Sequence, residues 1–121
     1  MGLIDRLSGR SKGAKPIPVT KDNFNDLLSS SKYVIVDFWG KNCPPCDAMH
    51  PIVGKLTREY EGEILFLKVN VSHQPEIAER YRVKSVPAFL LFENGRLRDR
   101  RVGAMQYDVF KKWIEKFTRS D

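Results

Sequence analysis

Hydrophobic residues fall along this chain in two kinds of block, and the blocks alternate. Tyr33-Val34-Ile35-Val36-Asp37-Phe38-Trp39 is rich in β-formers and interrupted only by Asp37. Such a run predicts a strand buried on both faces, since a half-exposed strand would alternate polar with apolar. Ile64 to Val71 has the same character, with Ile64, Leu65, Phe66, Leu67 and Val69. Ala88 to Phe92 and Leu97 to Val102 flank Glu93-Asn94-Gly95-Arg96. An Asn-Gly pair between apolar runs predicts a hairpin, because both central residues of that turn take positive φ. Pro16 to Val19 predicts a short opening strand.

Between these blocks the period is helical. Thr20 or Asp22 can cap a helix with Phe24, Leu27 and Leu28 on one side. Cys43 to Tyr60 predicts a long helix kinked at Pro51, with Gly62 just past its end. Pro75 to Tyr81 predicts a short helix, and Gln106 to Phe117 an amphipathic one that buries Val109, Phe110, Trp113, Ile114 and Phe117. The order is β-α-β-α-β-α-β-β-α. Strands separated by helices predict parallel pairing with right-handed crossovers, and the hairpin appends an antiparallel edge. The fold class is therefore α/β, a central mixed sheet of about five strands flanked by about four helices on both faces.

A chain of 121 residues fits one domain, and 41% hydrophobic residues are too many for a disordered one. We expect a tail over residues 1–15 and a single domain over 16–121. No apolar run approaches the roughly 18–20 residues of a membrane span. The net charge of +6 is concentrated in two places. Arg6, Arg10, Lys12 and Lys15 outnumber Asp5 in the tail, and Arg96, Arg98, Arg100 and Arg101 cluster in the last strand. No aromatic residues are interleaved with these, so a nucleic-acid partner is not expected. The opening MGLIDRLSGRSKGAKP lacks the apolar core of a signal peptide, and Arg6 stands where a myristoylation signal wants Ser or Thr. The expectation is a cytoplasmic protein without a membrane partner, in which a structural disulfide is disfavoured.

The two cysteines, Cys43 and Cys46, then become informative. They sit where a buried strand gives way to a helix. Free N–H groups and the positive end of the helix dipole stabilise an anion there, lowering the Cys43 pKa and making its thiolate nucleophilic. Cys46, one helical turn on, is near enough to close a disulfide. A zinc site normally has four ligands, and here only His50 is suitably spaced while His73 is remote. A covalent haem motif needs His where Asp47 stands. An inert buried pair stays open on the residues alone. Reversible dithiol chemistry is the favoured reading, with no metal.

Val36-Asp37-Phe38-Trp39, Cys43-Pro44-Pro45-Cys46 and Pro51 are followed by Lys68-Val69-Asn70-Val71 and Tyr81-Arg82-Val83-Lys84-Ser85-Val86-Pro87. Phe92-Glu93-Asn94-Gly95 and Val102-Gly103-Ala104 complete the series. In that order and spacing the chain resembles the thioredoxin family over residues 17–118. The resemblance implies a thioredoxin fold and a protein-disulfide reductase. It implies that Cys43 attacks a client disulfide and that Cys46 resolves the mixed disulfide. Asp37, inside an apolar strand, is raised in pKa by burial toward the range useful for taking the Cys46 proton. Lys68 on the next strand is a partner that would neutralise Asp37. The base rate for X–Pro bonds predicts a trans bond before Pro87, whereas the resemblance implies a cis one, with the Val86 backbone exposed to pair with the client. Gly103 would leave a flat surface nearby, Trp39 would pack under the site, and His50 would lie on the helix surface.

This chain departs from the family's usual Trp-Cys-Gly-Pro-Cys-Lys at Asn42, Pro44 and Asp47. Asn42 removes an exposed aromatic, Pro44 (beside Pro45) removes an N–H, and Asp47 puts negative charge near the thiolate. No Gly-rich nucleotide fingerprint is present, so no bound flavin or nicotinamide is expected. Electrons would come from a separate thioredoxin reductase, NADPH- or ferredoxin-linked, and go to disulfide-containing client proteins, the chain itself being a monomer. The alternatives are a protein-disulfide oxidase or isomerase, a binding module with incidental redox activity, and a cluster carrier shared by two chains.

Overall fold

The computed structural model describes residues 13–118. In chain order its elements are β1 (Ile17–Pro18), α1 (Phe24–Ser29), β2 (Tyr33–Trp39), α2 (Pro44–Glu59), β3 (Ile64–Asn70), α3 (Pro75–Arg80), β4 (Ala88–Glu93), β5 (Arg96–Val102) and α4 (Tyr107–Thr118). Most of the tail expected over residues 1–15 lies outside the described residues.

The five strands form one sheet in the order β1-β3-β2-β4-β5. The near-continuous apolar runs occupy its centre: β2 is parallel to β3 and antiparallel to β4. Because side chains alternate along a strand, the runs feed two separate cores. Val34, Val36, Phe38, Leu67, Val69, Leu90 and Phe92 pack against Phe24 and Leu28 of α1 and Ile77 and Ala78 of α3. Ile35, Phe66, Phe89 and Leu91 pack against Met49, Val53 and Leu56 of α2 and Phe110, Trp113 and Ile114 of α4. Asn94 and Gly95 both take positive φ at the β4–β5 turn, as the Asn-Gly signal predicts.

Two expectations fail. Only β1, β3 and β2 pair in parallel; β4 runs antiparallel to β2 although a helix precedes it. The six residues of α3 rise about 9 Å, whereas a seven-residue strand such as β3 is about 23 Å long. The chain thus leaves β3 and enters β4 at the same end of the sheet. Val109, expected in the core, is 46% exposed. The sheet covers a stripe of α4 only wide enough for Phe110, Trp113 and Ile114, and Val109 lies just outside it.

Candidate active site

The carboxyl end of β2 carries the site. Gly40-Lys41-Asn42 connects Trp39 to α2, with Asn42 in the left-handed region at φ 53. Asn tolerates that conformation better than most residues. Cys43 is the N-cap of α2, and Pro44 and Pro45 fill its first two positions. Proline suits a helix start because its ring fixes φ and its missing N–H would lack a helical partner there. Two of the donors that normally crowd a helix N-terminus are therefore absent. The Cys46 N–H donates to Cys43 Sγ at 3.2 Å, and the Asp47 N–H donates to the Cys43 carbonyl at 3.0 Å. The anion-stabilising effect expected at Cys43 thus comes down to one backbone donor plus the helix dipole, with the exposed Asp47 carboxylate opposing it from the first turn.

Cys43 and Cys46 are joined as a disulfide, their Cα atoms 5.2 Å apart. The two sulfurs are not equivalent. Cys46 is 1% exposed within the first turn of α2, whereas Cys43, at its cap, is half-buried and reaches the surface.

A second loop faces the disulfide. The Val86–Pro87 bond is cis. The Val86 carbonyl oxygen lies 3.9 Å from Cys43 Sγ, and the Pro87 carbonyl accepts a hydrogen bond from the Gly103 N–H at 2.8 Å. Gly103 has φ +101, a conformation that favours glycine, and no atom lies within 4 Å of where a Cβ would stand. Cys43, Cys46, Val86, Pro87 and Gly103 are thereby brought together from three separate segments, with Cys43, Val86 and Gly103 partly exposed and Cys46 and Pro87 buried.

Asp37 and Lys68 lie deeper, opposite each other in the β2–β3 register and on the sheet face covered by α2. Asp37 is 6% exposed, and its Oδ1 has no hydrogen-bond partner. Burial pushes its carboxyl from 3.8 up to about 7, with the Lys68 charge, the smaller effect, pulling the other way. Among the described residues no ion pair joins the two, so Lys68 moderates the Asp37 carboxyl without neutralising it. A cavity of about 350 Å3 opens beside Lys68, Trp39 and Asn70.

Trp39 packs edge-on against His50, ring centroids 5.8 Å apart, and its Nε1 is buried without a partner. His50 is on the helix surface as expected, but one side of its ring is covered. Reading the sequence missed this contact and the left-handed Asn42. The signal for Asn42 was present, an Asn directly before a helix cap, whereas the His50 contact depends on how α2 lies over β2.

Among the described residues, no group of three or more His, Cys, Asp or Glu is placed to hold a metal ion. No helix there is long and apolar enough to cross a membrane.

A family model described as thioredoxin matches residues 15–116. The chain belongs to the thioredoxin family. A thioredoxin of Rickettsia felis is 35% identical over 99 residues, spanning 81% of this chain and 94% of that one. A thioredoxin of Chlorobaculum thiosulfatiphilum is 36% identical over 102 residues, spanning 84% and 94%. Solved structures agree. A point mutant of a thioredoxin from Halobacterium salinarum superposes with a TM-score of 0.81 at 28% identity, covering 88% of this chain and 94% of that one. The oxidised mitochondrial thioredoxin 3 of Saccharomyces cerevisiae gives 0.77 at 28% identity, covering 84% and 95%. Like other thioredoxins, the chain is a thiol-disulfide oxidoreductase, and these relatives do not favour a disulfide oxidase, an isomerase or a binding module with incidental redox activity. The family implies disulfide-bearing clients and a reductase that restores the dithiol.

Proposed function

We propose that Cys43-Pro44-Pro45-Cys46 is the redox centre of a general protein-disulfide reductase acting in the cytoplasm. The Cys43 thiolate attacks one sulfur of a client disulfide. That bond breaks, the other client sulfur leaves as a thiolate, and a Cys43–client mixed disulfide forms. Cys46 then gives up its proton and attacks Cys43 Sγ, expelling the second client thiolate and closing the Cys43–Cys46 disulfide. Two electrons pass from the protein dithiol to the client. A separate thioredoxin reductase, drawing on NADPH or ferredoxin, returns them.

Asp37 accepts the Cys46 proton, through water, because a carboxyl poised near 7 both takes and returns a proton at neutral pH. Lys68 limits how far burial raises it. Val86 and Pro87 present the backbone on which an extended client lies, Gly103 keeps that surface open, and Trp39 supports it from below. Pro44 and Pro45 hold the loop that presents Cys43. Residues 16–121 form the working domain of a monomer, and residues 1–15 are a basic extension of it.

The observation that carries this reading is the asymmetric sulfur pair: Cys43 half-buried at the surface beside the Val86 carbonyl, and Cys46 shut beneath it. Equilibrating the couple with a defined dithiol buffer and counting free thiols tests it. A midpoint at or below about −250 mV is expected of a reductant, whereas one above about −200 mV marks a disulfide donor. Failure of the two cysteines to cycle together would remove both.

A further inference from the structure

The last strand is unlike the rest of the sheet. β5 reads Arg96-Leu97-Arg98-Asp99-Arg100-Arg101-Val102, and it is an edge, paired only with β4. One row of its backbone N–H and C=O groups therefore faces away from the sheet with no strand upon it, a template for another chain. Asp99 is engaged from within the fold, accepting the Trp113 Nε1–H at 2.7 Å. Arg98 pairs with Glu93. The other three arginines have no carboxylate among the described residues. There Arg100 donates only to the Arg82 carbonyl at 3.5 Å, and no hydrogen bond or ion pair engages the Arg96 or Arg101 side chain.

Register and position narrow the docking stretch. The β4–β5 pairing shifts between Leu91 and Phe92, so the ladder is regular only from Asp99 to Val102. That regular half leads to the redox centre. Val102 is 61% exposed, and Gly103 is hydrogen-bonded to Pro87, whose neighbour Val86 lies 3.9 Å from Cys43 Sγ. The end of β5 is thus tied by one hydrogen bond to the loop that faces Cys43.

We propose that the free edge of β5 over Asp99–Val102 docks an extended acidic segment of a partner protein beside the redox centre. The proposal rests on the reductase reading and names the class of client it favours. Charge selects the occupant. A second copy would bring β5 arginines against β5 arginines, and residues 1–12 of the chain are themselves basic. Like charges directly opposite across a strand pair destabilise it, so the charges that keep copies apart admit a segment rich in Asp and Glu. A protein partner fits better than a nucleic acid, because the edge supplies backbone groups for strand pairing and an exposed Val102 but no aromatic ring to stack a base.

The test uses the full oxidised chain and fluorescein-labelled twelve-residue peptides that repeat Val-Glu-Glu or Val-Lys-Lys, so that charge reaches both faces of β5, each with a C-terminal Cys held as its 2-hydroxyethyl mixed disulfide. The Glu peptide is expected to bind about 10-fold tighter than the Lys peptide at low salt, from two exposed charge pairs with Arg100 and Arg101. That preference should fall toward unity near 0.5 M salt, where the Debye length is only about 4 Å. R100E/R101E should reverse the preference. R101E alone, at an exposed position without partners, should reduce it about threefold. Two Glu peptides N-methylated at alternate amides distinguish strand pairing from loose attraction. One register should lose about 10-fold through the ladder bonds it blocks, and the other should bind normally. No preference, a preference that survives R100E/R101E, or equal loss in both registers would overturn the proposal. So would a single-stranded DNA 12-mer that binds more tightly than the Glu peptide through the same arginines. Reduction of each peptide as a mixed disulfide, relative to neutral bis(2-hydroxyethyl) disulfide, separates the two readings. Peptide binding with no reduction of either disulfide would remove the reductase and leave the docking edge.

Discussion

Successive residues of β2 serve two different interiors. Val34, Val36 and Phe38 are fully buried on the side of α1 and α3, where the core is apolar throughout. Ile35 begins the other side in the same way, but Asp37 and Trp39 follow it toward the disulfide, each with a buried polar atom left without a partner. The remaining buried polar side chains among the described residues are satisfied: Thr57 donates to the Val53 carbonyl at 2.7 Å, and Asn70 accepts from the Ser72 and His73 N–H groups. Asp37 is thus a localised cost on the face that carries chemistry. The opposite face offsets it with ordinary packing, which is how a domain this small can hold a carboxyl near 7.

The comparison breaks most completely at the sulfurs. Cys43→Ser should abolish turnover with any client, while Cys46→Ser should accumulate a stable mixed disulfide; non-reducing gels and mass spectrometry distinguish the two. If both variants merely slow the reaction, the two sulfurs do not have separate roles.

Asp37→Asn comes next. The native carboxyl keeps its proton up to about pH 7, whereas the unfolded chain releases it near 3.8. The native state therefore holds the extra proton in this window, and stability falls as pH rises through it, by roughly 4 kcal/mol in all. Asp37→Asn should remove that slope, adding up to about 4 kcal/mol at pH 8 and nearly nothing near pH 3, by urea unfolding at each pH. Under the proposed mechanism it should also slow release of client from the mixed disulfide at pH 7. A gain that is equal at both pH values would show that the carboxyl is not the source.

Leu90→Ala probes the apolar face. Leu90 is fully buried opposite Val36, and its loss should cost about 2–5 kcal/mol while leaving the midpoint potential of the disulfide in place. A shift in potential would mean that the two faces are coupled through the sheet. The smallest effect is expected at Trp113→Phe, which removes the hydrogen bond to Asp99 and should cost about 1–2 kcal/mol by the same unfolding measurement.

The strands at the centre of the sheet were legible because burial on both faces leaves an unbroken apolar run, and Asp37 was legible as the residue that interrupts one. Asn94-Gly95 specified its turn through backbone sterics alone. The direction of β4 was not legible, because it depends on the length of α3 against the height of the sheet, a relation between elements rather than a local pattern. Val109 looked like core for a similar reason: helical spacing gives the apolar stripe, but only the packed partner sets its width. Pro44 and Pro45 were visible as residues that lack an N–H. That the Cys46 N–H reaches Cys43 Sγ could be seen only once the cap was built.

The difference in exposure between the two sulfurs has a kinetic consequence. With Cys46 buried in the first turn of α2, whatever reduces the disulfide must strike Cys43, the same atom that in our reading delivers electrons to a client. Donor and acceptor then have to visit one surface in turn, and no ternary complex can form. Steady-state rates at varied donor and client should give the parallel double-reciprocal lines of a ping-pong cycle. An excess of either protein would act as a competitor of the other, so the traffic through this protein is set by the ratio of its partners.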